Sequence, residues 1–364
     1  MSEERREALA GRIRGEMLAA GGAIPFSRFM ELALYEPGLG YYEHATVGRK
    51  GDFFTSVSVG PLFGELMAFQ AGAWFEGLAH PVWVEAGAHD GRFASDFLRW
   101  MKGHRPEVYG RMRYRIVEPS ARRRGWQQEM LAEFGERVDW VEGVEHLGEV
   151  EGVIFGNELL DAFPLERFGW ERSGGQWFRW GVTPTDSGFG WCRLPAGDLA
   201  STPLEGLPGD LLAVLPDGYT VECSPTAEGW WAKAASLLKR GRMVTFDYGY
   251  EESDRFRPER TRGTLRGYRD HRLVDDVLVE PGLVDLTAHV DFGRIAAVGE
   301  GAGLKTECLE TQRRFLTWIM AETLKPGTDF GEWTQSRVRQ FQTLTHPQHL
   351  GHSFRVIVQG REGV

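Results

Sequence analysis

The chain has 364 residues, 42% of them hydrophobic, and its 42 lysines and arginines stand against 52 aspartates and glutamates for a formal net charge of −10. That carboxylate surplus argues against generic binding to a polyanion and favours a cationic ligand or partner. No run of about 18 apolar residues occurs, so no membrane-spanning helix is predicted; Cys192, Cys223 and Cys308 are too widely spaced for a disulfide framework or a zinc site, and no metal is expected.

The N-terminus, Met1 to Met17, is charged and helix-like, without an apolar leader or a small-residue cleavage site, which predicts a cytoplasmic protein. Amphipathic helices are predicted from Glu3 to Ala20 and from Ile24 to Tyr35, where Phe26, Phe29, Met30, Ala33 and Leu34 recur at helical spacing as a core face. The turn Glu36-Pro37-Gly38-Leu39-Gly40 ends the second helix. Tyr41-Tyr42 then leads to Gly48-Arg49-Lys50-Gly51-Asp52-Phe53-Phe54-Thr55-Ser56, and a helix from Pro61 to Leu78 delivers the chain to an apolar strand, Val82-Trp83-Val84.

That strand ends in Glu85 and breaks through Ala86-Gly87-Ala88-His89-Asp90-Gly91 into a helix predicted from Arg92 to Met101, the entry to a nucleotide-binding βα unit. The same residues could also be a plain strand-to-helix connection. In a G-x-G-x-G turn each glycine permits positive φ or close approach to the ligand, so His89 at the middle position must tolerate that conformation or change what binds there. A second strand-like run, Tyr114 to Val117, ends in Glu118 after about 30 residues, the length of one βαβ unit. An acid there can accept both ribose hydroxyls of an adenosine ligand. A third run, Val153-Ile154-Phe155, leads to Gly156-Asn157-Glu158, and a fourth, Met243 to Phe246, to Asp247-Tyr248-Gly249. Carboxyl ends of strands line one crevice in an open α/β sheet, so Glu85, Glu118, Glu158 and Asp247 are expected to converge.

Residues 167–222, rich in tryptophan, glycine and proline, read as an insertion of short antiparallel strands. Seven arginines follow between Arg255 and Arg272, with Tyr268 among them. They suit either an anion or RNA surface or a loop paired with nearby carboxylates. A helix near Asp291 to Gly299 and a strand from Phe354 to Val358 close the pattern.

These segments carry a resemblance over nearly the whole chain. Tyr35-Glu36-Pro37-Gly38-Leu39-Gly40-Tyr41-Tyr42, Gly51-Asp52-Phe53 with Thr55-Ser56, Asn157-Glu158-Leu159-Leu160-Asp161-Ala162-Phe163-Pro164, Asp247-Tyr248-Gly249, Gly263-Thr264-Leu265-Arg266 and the run Pro281 to Phe292 follow in one order. In this the chain resembles the MidA-like S-adenosylmethionine-dependent methyltransferases, whose mitochondrial members are protein arginine methyltransferases needed for respiratory complex I assembly. The resemblance implies an α/β, class I methyltransferase fold: a Rossmann-like sheet with an N-terminal helical cap and a β-rich insertion. The domains expected are a cap with a cofactor-covering loop at 1–78, a core at 79–166 and 223–364, and the insertion at 167–222. S-adenosylmethionine is the implied cofactor, with Glu85, Gly87, Ala88, His89 and Gly91 at the methionine-end turn. Glu118 is implied at the ribose, and Gly51, Asp52, Phe53 and Thr55 close over the cofactor. Asn157, Glu158 and Asp161 fall on the family's substrate-facing motif.

Two departures stand out: His89 replaces a glycine of Glu-x-Gly-Ala-Gly-x-Gly, and Val57-Ser58 replaces Pro-Glu after Thr-Ser. Methyl transfer needs in-line positioning of the nucleophile. Arginine also needs carboxylates that orient its planar fork and accept a proton as the bond to nitrogen forms, a role that suits Glu158 and Asp161 as a pair. Asp161 could instead be a helix N-cap. His271 and His289 could orient a substrate or be structural, and Tyr248 and Tyr268 could frame it or simply pack. Three functions follow: a methyltransferase acting on a protein side chain, with arginine in a cationic partner the expected acceptor; a cofactor-binding assembly factor without turnover; and, opposed by the overall charge, an RNA-associated methyltransferase.

Overall fold

The computed structural model describes residues 2–44, 55–200, 202–270, 272–347 and 350–363. The chain divides into two compact units, one of Val47–Asp161, Gly229–Gly249 and Phe292–Val364, the other of Met1–Thr46, Ala162–Glu228 and Tyr250–Asp291.

Among the described residues the first unit contributes seven strands to one sheet: β1 (Val82–Ala86), β2 (Arg113–Val117), β3 (Val138–Val141), β4 (Val150–Asn157), β5 (Leu238–Tyr250), β6 (Lys305–Thr311) and β7 (Phe354–Arg361). Their order across the sheet is β6-β7-β5-β4-β1-β2-β3. β1 to β5 are mutually parallel, and β7 runs antiparallel to both its neighbours. Central strands such as Val153-Ile154-Phe155 and Val356-Ile357-Val358 are buried throughout, as strands covered on both faces require. The strand order reverses at β1, with β2 and β3 to one side and β4 and β5 to the other. That reversal opens the switch-point crevice at the carboxyl ends of β1 and β4.

Beneath the crevice lies an aromatic core. Trp83 of β1 packs on Phe97 at 4.4 Å between ring centroids, and Phe93 stacks on Phe155 at 4.7 Å. Phe63, Leu66, Met67 and Ala71 of helix Leu62–Trp74 belong to the same core. That helix was expected with the N-terminal cap, but its apolar face groups it with the sheet. Helix Arg92–His104 runs three residues past its expected end at Met101.

The second unit joins helices Glu3–Ala19 and Phe26–Tyr35 to antiparallel strands. Gln176–Thr185 lies between Glu166–Glu171 and Ile24–Pro25 and also pairs with Gly188–Pro195, while Thr220–Cys223 flanks Glu166–Glu171. Ile24 was expected to open the second helix. It pairs with Val182 instead, because a residue before proline is driven out of the helical region. Segment 250–291, expected in the sheet's core, groups with this unit. Leu265, Leu278, Val284 and Leu286 bury beside Phe26, Phe29 and Leu34.

The arginine-rich segment is largely satisfied within this unit. Arg255 pairs with Asp291 at 2.7 Å, Arg257 with Asp254 at 2.6 Å and Arg269 with Glu280, while Arg260 lies 4.2 Å over the Tyr250 ring. Among the described residues no helix is long and apolar enough to cross a membrane, and no cluster of three His, Cys, Asp or Glu side chains could hold a metal.

Candidate cofactor and acceptor site

The turn after β1 takes the chain from a buried strand into a helix within a few residues. Gly87 and Gly91 adopt φ of 76° and 81°, the left-handed region that glycine enters without penalty. A β-carbon on Gly87 would lie 3.1 Å from Leu159 Cδ1, so the first glycine is also needed for the close approach of the turn after β4. His89 adopts φ 46°. Histidine tolerates this region better than most residues, at a cost of order 1 kcal/mol. Its carbonyl accepts from Gln127 Nε2 at 3.0 Å, its ring lies 6.4 Å from that of Trp126, and Asp90 accepts from the N–H of Arg92 at 3.1 Å as the helix begins. Ala88 is buried in the same turn.

The four acidic strand ends do not all converge. Side chains alternate along a strand, so Glu85 shares a face with Trp83 and points into the aromatic core, where Tyr114 Oη donates to it at 2.7 Å. Burial lifts its carboxyl to about 8, with the Tyr114 hydrogen bond opposing and the Asp90 charge adding. Glu85 therefore supports the turn from beneath. Glu118, also buried, sits at the end of β2. It accepts from the N–H of Ser120 at 2.9 Å and from Gln127 Nε2 at 3.1 Å, and it lies 3.2 Å from Arg123 Nε.

Across the switch point, β4 ends in a second turn. Asn157 is the last residue of the strand, and Glu158 follows at φ 52° with its N–H donating to the Phe246 carbonyl at 2.8 Å. Asp247 Oδ2, fully buried, accepts from the N–H groups of Leu159, Leu160 and Asp161 at 3.2, 2.8 and 3.3 Å, and its Oδ1 accepts from the N–H of Tyr248 at 2.9 Å. Burial and the neighbouring Asp161 and Glu158 carboxylates raise the Asp247 carboxyl well above the usual range, while the N–H groups of Leu160 and Asp161 oppose that shift. Asp247 thus anchors the turn that carries Glu158 and Asp161. It does not line the crevice as an independent acid.

Glu158 Oε1 accepts from Asn157 Nδ2 at 2.9 Å and from the N–H of Ser56 at 3.4 Å. Ser56 is itself buried and donates to Gln312 Oε1 at 3.1 Å. Thr55 is closed into a turn by Ser58, which exchanges hydrogen bonds with it at 2.8 to 3.2 Å. Ser58 stands at one of the two family departures, so the hydroxyl there has a local partner. Gly51, Asp52, Phe53 and His271 lie outside the described residues. His289 belongs to the second unit, where its N–H donates to Thr264 Oγ1 at 2.9 Å. Tyr248 packs on Phe354 with ring centroids 4.0 Å apart, and Tyr268 lies in the strand Arg266–Arg269 of the second unit. Sequence reasoning missed Gln127, and it named Ser56 within the Thr55-Ser56 motif without giving it a role. Neither carries a spacing signal, since both act through contacts across the fold.

The residues present fit a sulfonium nucleoside. Asn157 Oδ1 is buried and accepts no hydrogen bond among the described residues, and the two glycines give the turn a close backbone approach. The sheet order with its antiparallel β7, together with a glycine-containing turn and a buried acid on the first two strands, defines a class I, S-adenosylmethionine-dependent methyltransferase. Residues 66–309 match the profile of a family of S-adenosyl-L-methionine-dependent methyltransferases, and the chain belongs to that family. A Burkholderia thailandensis protein crystallised with S-adenosyl-homocysteine is 30% identical, covering 98% of this chain and 93% of that one with a TM-score of 0.83. The mitochondrial protein arginine methyltransferase NDUFAF7 of Danio rerio is 28% identical over 93% of this chain and 83% of its own length. Its homologue in Drosophila melanogaster is 26% identical over 83% and 72%.

The two NDUFAF7 relatives are mitochondrial proteins, which overturns the expected cytoplasmic location. The expectation rested on the lack of an apolar leader. Mitochondrial targeting segments are amphipathic and arginine-rich, so an apolar leader is not the feature that marks them.

Proposed function

We propose that this methyltransferase acts on the guanidinium of an arginine side chain in a protein partner, with Glu158 and Asp161 as the groups that receive it. The observation carrying the reading is the Asn157–Asp161 turn, which carries two acidic residues, is held by Asp247 and packs Leu159 against Gly87 of the turn after β1. The names of the relatives and the negative net charge support a cationic protein substrate.

Bound S-adenosylmethionine supplies an electrophilic methyl group on a positively charged sulfur. The chain's own work is placement. Gly87, Ala88 and Gly91 would admit the methionine end, and Glu118 would take the ribose hydroxyls. Glu158 and Asp161 would hold the guanidinium fork in line with the methyl group and take its proton as the carbon–nitrogen bond forms. Asn157, which donates to Glu158, fixes the orientation of that carboxylate.

The test incubates the full chain and its Glu158→Gln and Asp161→Asn variants with methyl-labelled S-adenosylmethionine and mitochondrial protein, then hydrolyses the product to amino acids. Label recovered as methylarginine with the parent chain, and strongly reduced with either variant, is the expected result. Label on lysine or on small molecules would remove arginine as the acceptor.

A further inference from the structure

Helix Ala121–Met130 reads as a polar surface helix, with Arg122, Arg123 and Arg124 in its first turn and Gln127-Gln128-Glu129 in its last. Its one fully buried side chain, among the described residues, is Gln127. An amide in that position needs all its polar atoms satisfied. Its Nε2 donates to the His89 carbonyl at 3.0 Å and to Glu118 Oε2 at 3.1 Å, while its Oε1 accepts from Trp140 Nε1 at 3.0 Å. One side chain therefore bonds both to the turn after β1 and to the acid that ends β2. Packing reinforces the link, because a β-carbon on Gly91 would come within 3.4 Å of Gln127 Cα.

His89 sits in the left-handed region without being glycine. A donor fixed on its carbonyl opposes rotation of the peptide that follows it, so the conformation is held by a neighbour where glycine would hold it by its own freedom. The same donor aims the Glu118 carboxylate. We propose that Gln127 is a positioning residue for the cofactor, clamping the His89 carbonyl and the Glu118 carboxylate in one geometry and so allowing a histidine in the glycine-rich turn. The proposal rests on the assignment of this turn and Glu118 to S-adenosylmethionine.

Calorimetric titration with S-adenosyl-homocysteine tests it on the full chain, with thermal unfolding run beside it. Gln127→Met keeps the volume and removes both donors. It is expected to weaken binding roughly tenfold, the effect of losing one neutral and one charge-assisted hydrogen bond. Trp140→Phe removes the partner of the amide oxygen but keeps both donors, so it is expected to lower the unfolding temperature while binding changes less than twofold. His89→Gly relieves the left-handed residue, and in that background Gln127→Met is expected to cost clearly less affinity than in the parent chain. A purely structural Gln127 would show no such coupling.

If Gln127→Met does not fold, Gln127→Asn keeps a neutral amide but withdraws it by one methylene from both acceptors, and a loss of affinity in the same direction is expected. Unchanged affinity in the folded Gln127 variant, with Glu118→Ala still weakened, would overturn the role of Gln127 alone. Unchanged affinity in Glu118→Ala would overturn the cofactor assignment, and the proposal with it.

Discussion

Two turns flank the switch point of the sheet, and each sets a non-glycine residue in the left-handed region: His89 at φ 46° after β1, and Glu158 at φ 52° after β4. Their anchors differ in kind. The first turn is held through a carbonyl by a side-chain amide, Gln127, and the second through successive N–H groups by a buried carboxylate, Asp247. An amide adds no net charge to the first turn, whose own acid, Asp90, accepts from the N–H of Arg92 and lies 3.1 Å from the Arg92 guanidinium. Asp247 is itself pushed toward its neutral form, so the negative charge of the second turn is that of Glu158 and Asp161. A cation is favoured there and an anion repelled. On the proposed assignment the first turn would take the amino-acid end of the cofactor and the second the cationic acceptor.

The strongest way to break this division is to remove charge on the acceptor side alone. Asp161→Asn is expected to lower the transfer rate by a factor on the order of 10³ while leaving S-adenosyl-homocysteine binding within twofold, since removing a proton-accepting group typically costs two to four decades. Rate and calorimetry measured on one preparation decide it. Weakened cofactor binding in this variant would mean that the turn after β4 serves both ligands.

Removing the anchor has a different signature. Asp247→Ala leaves the N–H groups of Leu159, Leu160, Asp161 and Tyr248 without their acceptor, and a loss of about 3 kcal/mol in urea-unfolding stability is expected. Asp247→Asn keeps one acceptor oxygen and should lose less. Equal losses would show that the charge, and not the acceptors, holds the turn.

How much of this contrast could be read from the chain depended on whether a residue acts along it or across it. Apolar runs ending in Glu85, Glu118, Glu158 and Asp247 located four strand ends, because strand length and a terminal turn are local properties. Direction was not legible. Glu85 faces inward since it shares a strand face with Trp83, and which face is inward is decided by the neighbouring helices. Asp247 looked like a crevice acid, yet its oxygens are committed to a turn that lies about 90 residues earlier in sequence. Gln127 was invisible for a similar reason, as nothing in Arg-Arg-Arg-Gly-Trp-Gln-Gln-Glu separates the buried glutamine from the exposed one beside it. Segment 250–291 was placed with the sheet because it follows β5 directly, whereas its apolar residues bury in the other unit.

The inward-facing acid under the first turn gives a pH test that the second turn's surface carboxylates should not affect. Burial raises Glu85 to about 8, so between the ordinary glutamate value and 8 the folded protein holds a proton that the unfolded chain has released. Stability therefore falls as pH rises through that window, with a slope of up to about 1.4 kcal/mol per unit, and levels off above it. Asp247, raised in the same direction, adds a slope of the same sign. Glu85→Gln removes the first contribution alone, so the difference between the two stability profiles between pH 5 and 8 isolates it. Parallel profiles would place the charge of Glu85 in a better-solvated setting than the Tyr114 contact describes.

The smallest effect bears most directly on the comparison, because it asks whether the left-handed residue matters for its backbone or for its side chain. His89→Gly and Glu158→Gly both replace a strained residue by the one that enters the region freely, a gain of order 1 kcal/mol at each position, reduced by the greater freedom of glycine in the unfolded chain. At His89 the hydrogen bond from Gln127 goes to the backbone carbonyl, so it survives the change. The unfolding temperature should hold or rise by a few degrees, and S-adenosyl-homocysteine should bind as tightly or more tightly. At Glu158 the side chain itself bonds to Asn157 and Ser56, so glycine loses those contacts and the carboxylate together. Stability should not rise, and transfer should fail. If His89→Gly instead weakened the cofactor, the imidazole would be a ligand-facing group, and the first turn would resemble the second in using its side chain as well as its backbone.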